Sequence, residues 1–160
     1  MIIEMHVNGK ALKIDCNPGD SLVDVLRSAG YSEVKKGCGT GNCGLCTILL
    51  DGVPVPSCSI FAGKADGRAI TTIRGVEKEA VELAGFIAAE GAEQCGFCSP
   101  GFALMVLAMR KELCPPSGTS TGPMPSEADI KHYLAGNLCR CSGYEGHLRA
   151  LRKYLEASRG

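Results

Sequence analysis

The chain has 160 residues, 45% of them apolar, with 17 Lys and Arg against 17 Asp and Glu. That balance leaves no net field to draw in nucleic acid or an anionic membrane, and with four Phe, four Tyr and no Trp there are few rings to stack on bases. Nowhere do about 18 apolar residues run together, and the opening MIIEMHVNGK has neither a basic n-region nor a continuous apolar stretch. The expectation is a cytoplasmic protein with no membrane span and no nucleic-acid partner.

Ile3, Met5 and Val7 alternate up to Asn8-Gly9, and Leu12, Ile14 and Cys16 alternate beyond it. This is the pattern of a two-residue β-hairpin with one buried face, and it makes Cys16 a core residue. NPGDS follows, with Asp20 or Ser21 placed to cap a short helix whose stripe is Leu22, Val25, Leu26 and Ala29 and whose end is Gly30.

Next comes GCGTGNCGLC, residues 37–46. Gly39 to Gly44 satisfy G-x-G-x-x-G, yet a phosphate cradle needs a buried strand before the glycines and a helix after them. VKK is no strand core, and TILLDG reads as a strand. The chain has ten cysteines and no export signal, so metal ligation explains them better than a disulfide framework. Cys38, Cys43 and Cys46 form C-x4-C-x2-C, and Cys58 follows after eleven more residues, the plant-type ferredoxin spacing for a 2Fe-2S cluster. Gly39, Gly41 and Gly44 permit the left-handed and close-approach backbone that folding around an inorganic core requires. They also bare N–H groups to a centre that is a dianion when two ferric ions, two sulfides and four thiolates are summed. A structural zinc site is the alternative, but zinc sites pair short C-x2-4-C knuckles. A Rieske site does not fit, since none of His6, His132 or His147 lies beside these cysteines in sequence.

TILLDGVPV reads as a second hairpin turning at Asp51-Gly52, which sets position 46 opposite 57 and brings Cys58 within one residue of Cys46. AITTI offers one more strand, and the small α+β sheet half ends near residue 75. Helical spacing then runs from about Lys78 to Glu90, Pro100 to Leu113, Glu127 to Ala135 and Gly146 to Ala157. Ser99-Pro100 suits an N-cap followed by Pro at the first helical position, Ser126 with Asp129 forms a capping box, and Gly91 and Gly136 fit as stops. Leu148, Leu151 and Leu155 with Tyr144 mark the buried side of the last helix. CPPSGTSTGPMP, from Cys114 to Pro125, reads as an exposed loop, with Cys114 a bystander thiol.

Cys95-Gly96-Phe97-Cys98 and Cys139-Arg140-Cys141 end ahead of expected helix starts, so two helix N-termini would face one anionic centre. By spacing alone this second group suits either a cluster or zinc.

The strings VKKGCGTGNCGLCT, QCGFCSPG and GNLCRCSGY, in this order, resemble the iron-sulfur subunit of the molybdenum hydroxylases, the xanthine dehydrogenase family that includes carbon monoxide dehydrogenase and aldehyde oxidoreductases. The resemblance covers nearly the whole chain. It implies an α+β protein with an N-terminal β-grasp, plant-type ferredoxin-like domain over residues 1–75 and an all-α four-helix bundle over residues 76–160, each with one 2Fe-2S cluster. It assigns Cys38, Cys43, Cys46 and Cys58 to the first cluster and Cys95, Cys98, Cys139 and Cys141 to the second. Gln94 and Cys141 are then expected to approach a pterin. Molybdopterin is expected in a large partner subunit and FAD in a medium one, making a hetero-oligomer. The chain itself offers no nucleophile-base pair, no catalytic carboxylate pair and no flavin fingerprint, so it serves an oxidoreductase as a relay, without catalytic residues of its own. A free-standing two-cluster ferredoxin and a zinc-bound interaction module are the rival readings. Ser99 and Ser142 stand where the family commonly has Thr.

Overall fold

A computed structural model of the protein describes residues 1–114 and 123–158. Residues 115–122, most of the Cys114 to Pro125 loop, and residues 159–160 lie outside the described residues.

Two tight turns organise the sheet. Asn8 and Gly9 take φ values of 51° and 77°, and Asp51 and Gly52 take 50° and 83°, the paired left-handed conformation whose twist matches two antiparallel strands. The first turn joins β1 (Ile2–Val7) to β2 (Lys10–Asp15), with Ile3 opposite Ile14 and Met5 opposite Leu12. The second joins β3 (Thr47–Leu50) to β4 (Val53–Pro56). β5 (Ala69–Thr71) runs parallel to β1 and antiparallel to β3, giving the order β2-β1-β5-β3-β4. Pro54 and Pro56 sit on the edge strand, where a missing N–H breaks no ladder.

One face of the sheet buries Ile3, Met5, Val7, Ile48, Leu50 and Ile70 against Leu22, Val23, Val25 and Leu26 of α1 (Leu22–Ser28). Each such side chain taken out of water contributes about 1.5–3 kcal/mol. Cys16 is half-buried against the rim of this core. Ser21 occupies the N-cap, but its hydroxyl donates to the Asp24 carboxylate at 2.7 Å and makes no backbone cap bond. Asp20 instead accepts from the Asn17 N–H.

The helical half holds α2 (Glu77–Ala89), α3 (Ser99–Leu113), α4 (Glu127–Tyr133) and α5 (Glu145–Ala157). Leu83, Ile87, Phe102, Val106, Met109, Ile130, Leu151, Tyr154 and Leu155 share its apolar core. α5 packs on α2 and α4, and α3 packs on α2. The Ser126–Asp129 capping box forms in both directions. Three expectations need correction. Cys98 is the N-cap of α3, so Ser99 is its first helical residue and Pro100 its second. Tyr144 is 42% exposed, and Tyr154 takes the buried aromatic place in α5. α4 ends at its C-cap Leu134, two residues ahead of Gly136.

The halves meet along α3, which lies against β3 and β4. Gly101 makes this approach possible, because a Cβ there would run into the Gly44 carbonyl oxygen. Where the chain passes from sheet to helices, the Thr72 N–H donates to Asn8 Oδ1 at 2.8 Å and its hydroxyl to the buried Glu33 carboxylate at 2.9 Å.

Candidate metal centres

The loop from Gly37 to Cys46 runs into β3, with no helix behind its glycines, so the phosphate-cradle geometry is missing. Gly39, Gly41 and Gly44 have φ values of 69°, 78° and 67°, and the effect is to turn backbone N–H groups inward onto sulfur. Thr40 and Asn42 N–H each donate to Cys38 Sγ at 3.4 Å, Gly41 N–H to Cys58 Sγ at 3.2 Å, and Cys38 N–H to Cys43 Sγ at 3.4 Å. Cys58 stands in the turn Ser57–Ser59 directly after β4. The β3–β4 register brings it to Cys46, whose Sγ accepts from the Cys58 N–H at 3.4 Å. Ser57 locks that closure, both its N–H (3.3 Å) and its hydroxyl (2.7 Å) donating to the Cys46 carbonyl.

Donor-rich and buried surroundings split the thiols. Hydrogen bonds from the Thr40 hydroxyl and N–H, then from Cys43 and the Asn42 N–H, hold the Cys38 thiol down at about 5. Burial pushes the Cys46 thiol up. The first is a ready thiolate on the rim; the second gains most from a bound cation that removes its proton.

The second group gathers around the N-terminus of α3. Cys98 caps that helix, and Cys139 and Cys141 lie in the connection from α4 to α5. Cys141 and Cys95 Sγ atoms are 3.6 Å apart, far beyond a disulfide bond and close to the roughly 3.8 Å edge of a tetrahedron of ~2.3 Å metal–sulfur bonds. Burial, then the facing Cys139, pushes the Cys98 thiol up to about 12. Burial also works against ionising Cys139, but hydrogen bonds from the Ser142 hydroxyl and N–H, then from Cys141 and Cys98, outweigh it and bring that thiol down to about 7. Only the Cys95–Cys98 pair adjoins a helix start. α5 begins beyond Cys141 and behind Tyr144, whose φ of 70° makes the turn. Gln94 is brought to Cys141, its Nε2 donating to the Cys141 carbonyl at 3.1 Å.

All ten cysteines are free thiols, and among the described residues no three His, Cys, Asp or Glu side chains are arranged to hold one ion. The donor sets fit a two-iron cluster in each half: soft thiols in closely facing pairs, N–H groups aimed at sulfur, and an irregular backbone that turns around a centre. The segments that carry the two groups also touch. The Leu138 N–H donates to the Cys43 carbonyl at 2.9 Å, so Cys43 is joined by one hydrogen bond to the residue just before Cys139. Cys16 and Cys114 pack with the two apolar cores, outside both groups.

Known proteins match both halves. A family model for a 2Fe-2S iron-sulfur cluster binding domain matches residues 5–70, and one for a 2Fe-2S binding domain matches residues 72–152. The nicotinate dehydrogenase small FeS subunit of Eubacterium barkeri is 37% identical over 96% of this chain and 94% of its own. The xanthine dehydrogenase iron-sulfur-binding subunit of Escherichia coli O157:H7 is 39% identical over 89% of this chain and 87% of its own. The chain belongs to this family of small iron-sulfur subunits. The quinoline 2-oxidoreductase structure from Pseudomonas putida 86 superposes on 99% of this iron-sulfur subunit and 95% of the matched chain, with a TM-score of 0.84 and 34% identity. Among the described residues of the subunit, no helix is long and apolar enough to cross a membrane.

Three residues of the iron-sulfur subunit that spacing did not tie to the second group line it. The Ser142 hydroxyl and N–H reach Cys139 Sγ at 3.3 and 3.4 Å, the Tyr144 hydroxyl accepts from the Cys139 N–H at 2.8 Å, and His147 Nδ1 lies 3.1 Å from Ser142 Oγ. His147 belongs to no motif, and nothing in its sequence neighbourhood marks it.

Proposed function

We propose that the chain is the electron-relay subunit of a molybdenum-containing hydroxylase or dehydrogenase in the cytoplasm. In this reading residues 1–75 form a β-grasp domain holding one 2Fe-2S cluster on Cys38, Cys43, Cys46 and Cys58. Residues 76–160 form a four-helix bundle holding a second on Cys95, Cys98, Cys139 and Cys141. Gln94 and Cys141 face a molybdopterin in a large partner subunit, and the first cluster faces FAD in a medium one. When bound, the clusters supply one-electron transfer.

The work of this chain is ligation and tuning. Gly39, Gly41 and Gly44 shape the first loop, and the N–H groups of Thr40, Gly41, Asn42 and Cys58 spread the negative charge of the thiolates. The observation that carries the relay reading is the Leu138–Cys43 hydrogen bond, a contact between the segments that carry the two ligand groups, which separate binding modules would not need. The family relationship supports the larger partners and disfavours a zinc module.

The test is electron-spin resonance of the reduced full chain. Two distinct signals are expected, and Cys43→Ser should erase one and spare the other; loss of both, or of neither, contradicts the assignment. In cells the chain should co-purify with larger subunits, and a lone monomer would favour a free-standing ferredoxin.

A further inference from the structure

The family relationship accounts for the cysteines, but not for a buried imidazole packed behind one of them. His147 is 6% exposed and stacks on Phe102 with ring centroids 4.5 Å apart, so the ring is pinned in place. Its Nδ1 lies 3.1 Å from Ser142 Oγ, which in turn reaches Cys139 Sγ at 3.3 Å and receives the Tyr144 N–H at 3.2 Å.

Hydrogen counting gives this chain of contacts a direction. A serine hydroxyl has one proton and two lone pairs, and a metal-bound thiolate only accepts. With Cys139 ligating, the hydroxyl proton goes to its sulfur. The oxygen then accepts from the Tyr144 N–H and from an Nδ1–H of His147, and all of its capacity is used. Were His147 to accept at Nδ1 instead, the hydroxyl would turn away from sulfur and the thiolate would lose its strongest side-chain donor. An Nδ1–H on the oxygen both fixes the hydroxyl rotamer and polarises its O–H, so the imidazole holds and strengthens the bond to sulfur.

We propose that His147 is a positioning residue that, through Ser142, holds a hydrogen bond on Cys139 Sγ and so raises the reduction potential of the second cluster. A donor to a thiolate stabilises the more negative, reduced state more than the oxidised one, so its loss favours oxidation. The inference rests on the ligand assignment of the proposed function and goes beyond it in giving two non-ligand residues a role.

The experiment is a potentiometric titration of the full chain with both clusters, each followed by its own electron-spin signal. Ser142→Ala should lower the midpoint of the second cluster by about tenfold in the redox equilibrium, 59 mV for a one-electron couple, and leave the first unmoved. Ser142→Thr, which keeps the hydroxyl, should restore it. His147→Phe keeps the stack on Phe102 but leaves the serine hydroxyl unpolarised and its rotamer unheld, and should lower the same midpoint by less than Ser142→Ala does; His147→Asn loses the stack but keeps an N–H near the Nδ1 position, and should stay near the wild type. An unmoved midpoint in either Ser142→Ala or His147→Phe overturns the proposal, as does a shift in His147→Asn without one in His147→Phe, which would mark a packing role. If Ser142→Ala assembles no second cluster, the His147 pair decides, since Ser142 is intact in both. A wild type without a second signal would refute the ligand assignment itself, a result separable from unmoved midpoints with both signals present.

Discussion

Gly44 carries two constraints at once. Its φ of 67° is left-handed, and a Cβ there would stand 2.6 Å from the Gly136 carbonyl oxygen and 3.0 Å from Asn137 Cα, both backbone atoms of the helical half. Left-handed strain alone costs about 1–2 kcal/mol for a side-chain-bearing residue; the Asn137 amide, 2.5 Å away, can swing aside, but the two backbone atoms cannot. Gly9, with φ 77° and open space around it, carries only the first constraint. Gly44→Ala should therefore destabilise the chain clearly more than Gly9→Ala in denaturant unfolding, and should also weaken the second cluster's signal, since Gly136 and Asn137 lead into Cys139. Equal costs for the two would mean that the seam yields freely. Gln94 shows the other kind of residue effect: a polar side chain that no spacing marks, singled out in the sequence by the resemblance alone, donates its amide to the Cys141 carbonyl.

Two elements are held by identifiable termini. α4 has seven residues, too few for a stable helix by itself, and starts with a complete capping box. Ser126→Ala removes the acceptor for the Asp129 N–H and should cost about 1 kcal/mol, read as a lower denaturation midpoint with unchanged slope. At the end of α2, Glu90 bonds Lys153 and Arg149, tying that helix to α5. The Lys153 hydrogen bond, then that of Arg149, lowers the Glu90 carboxyl below its ordinary 4.5. A lowered carboxyl stabilises the fold above its unfolded value, and that contribution fades as pH falls through the folded one. The difference in melting temperature between wild type and Glu90→Gln should be full near neutrality and shrink below about pH 4.5; a difference that grows on acidification would refute the clamp.

At the scale of the molecule, two apolar cores flank a seam on which both cysteine groups lie. Backbone contacts mark that seam: Gly101 on Gly44, Leu138 on Cys43. Metal should thus matter most there, because metal binding free energy is added to the folding of whatever segments supply the ligands. Stripping iron with a chelator should leave far-ultraviolet dichroism of helices and sheet largely in place, while amide hydrogen exchange accelerates in residues 37–46, 94–98 and 137–144. Equal acceleration in the strands of the sheet core would show instead that the clusters staple the whole fold.

Local rules act through neighbours in sequence, and what they govern was legible there: both I′-type hairpins, the Ser126 capping box, the C-x4-C-x2-C loop with its glycines, and, through the β3–β4 register, the closure of Cys58 on Cys46. Alternation, capping and turn chemistry each depend on residues a few positions apart. The meeting of Cys95 with Cys141, the docking of Gly101 on Gly44, the hydrogen bond from Leu138 to Cys43 and the pinning of His147 behind Ser142 were decided by tertiary structure alone. The contacts from Cys95, Gly101 and Leu138 span tens of residues, and the His147 ring is fixed by its stack on Phe102. Such contacts depend on how whole helices pack, which no local pattern encodes.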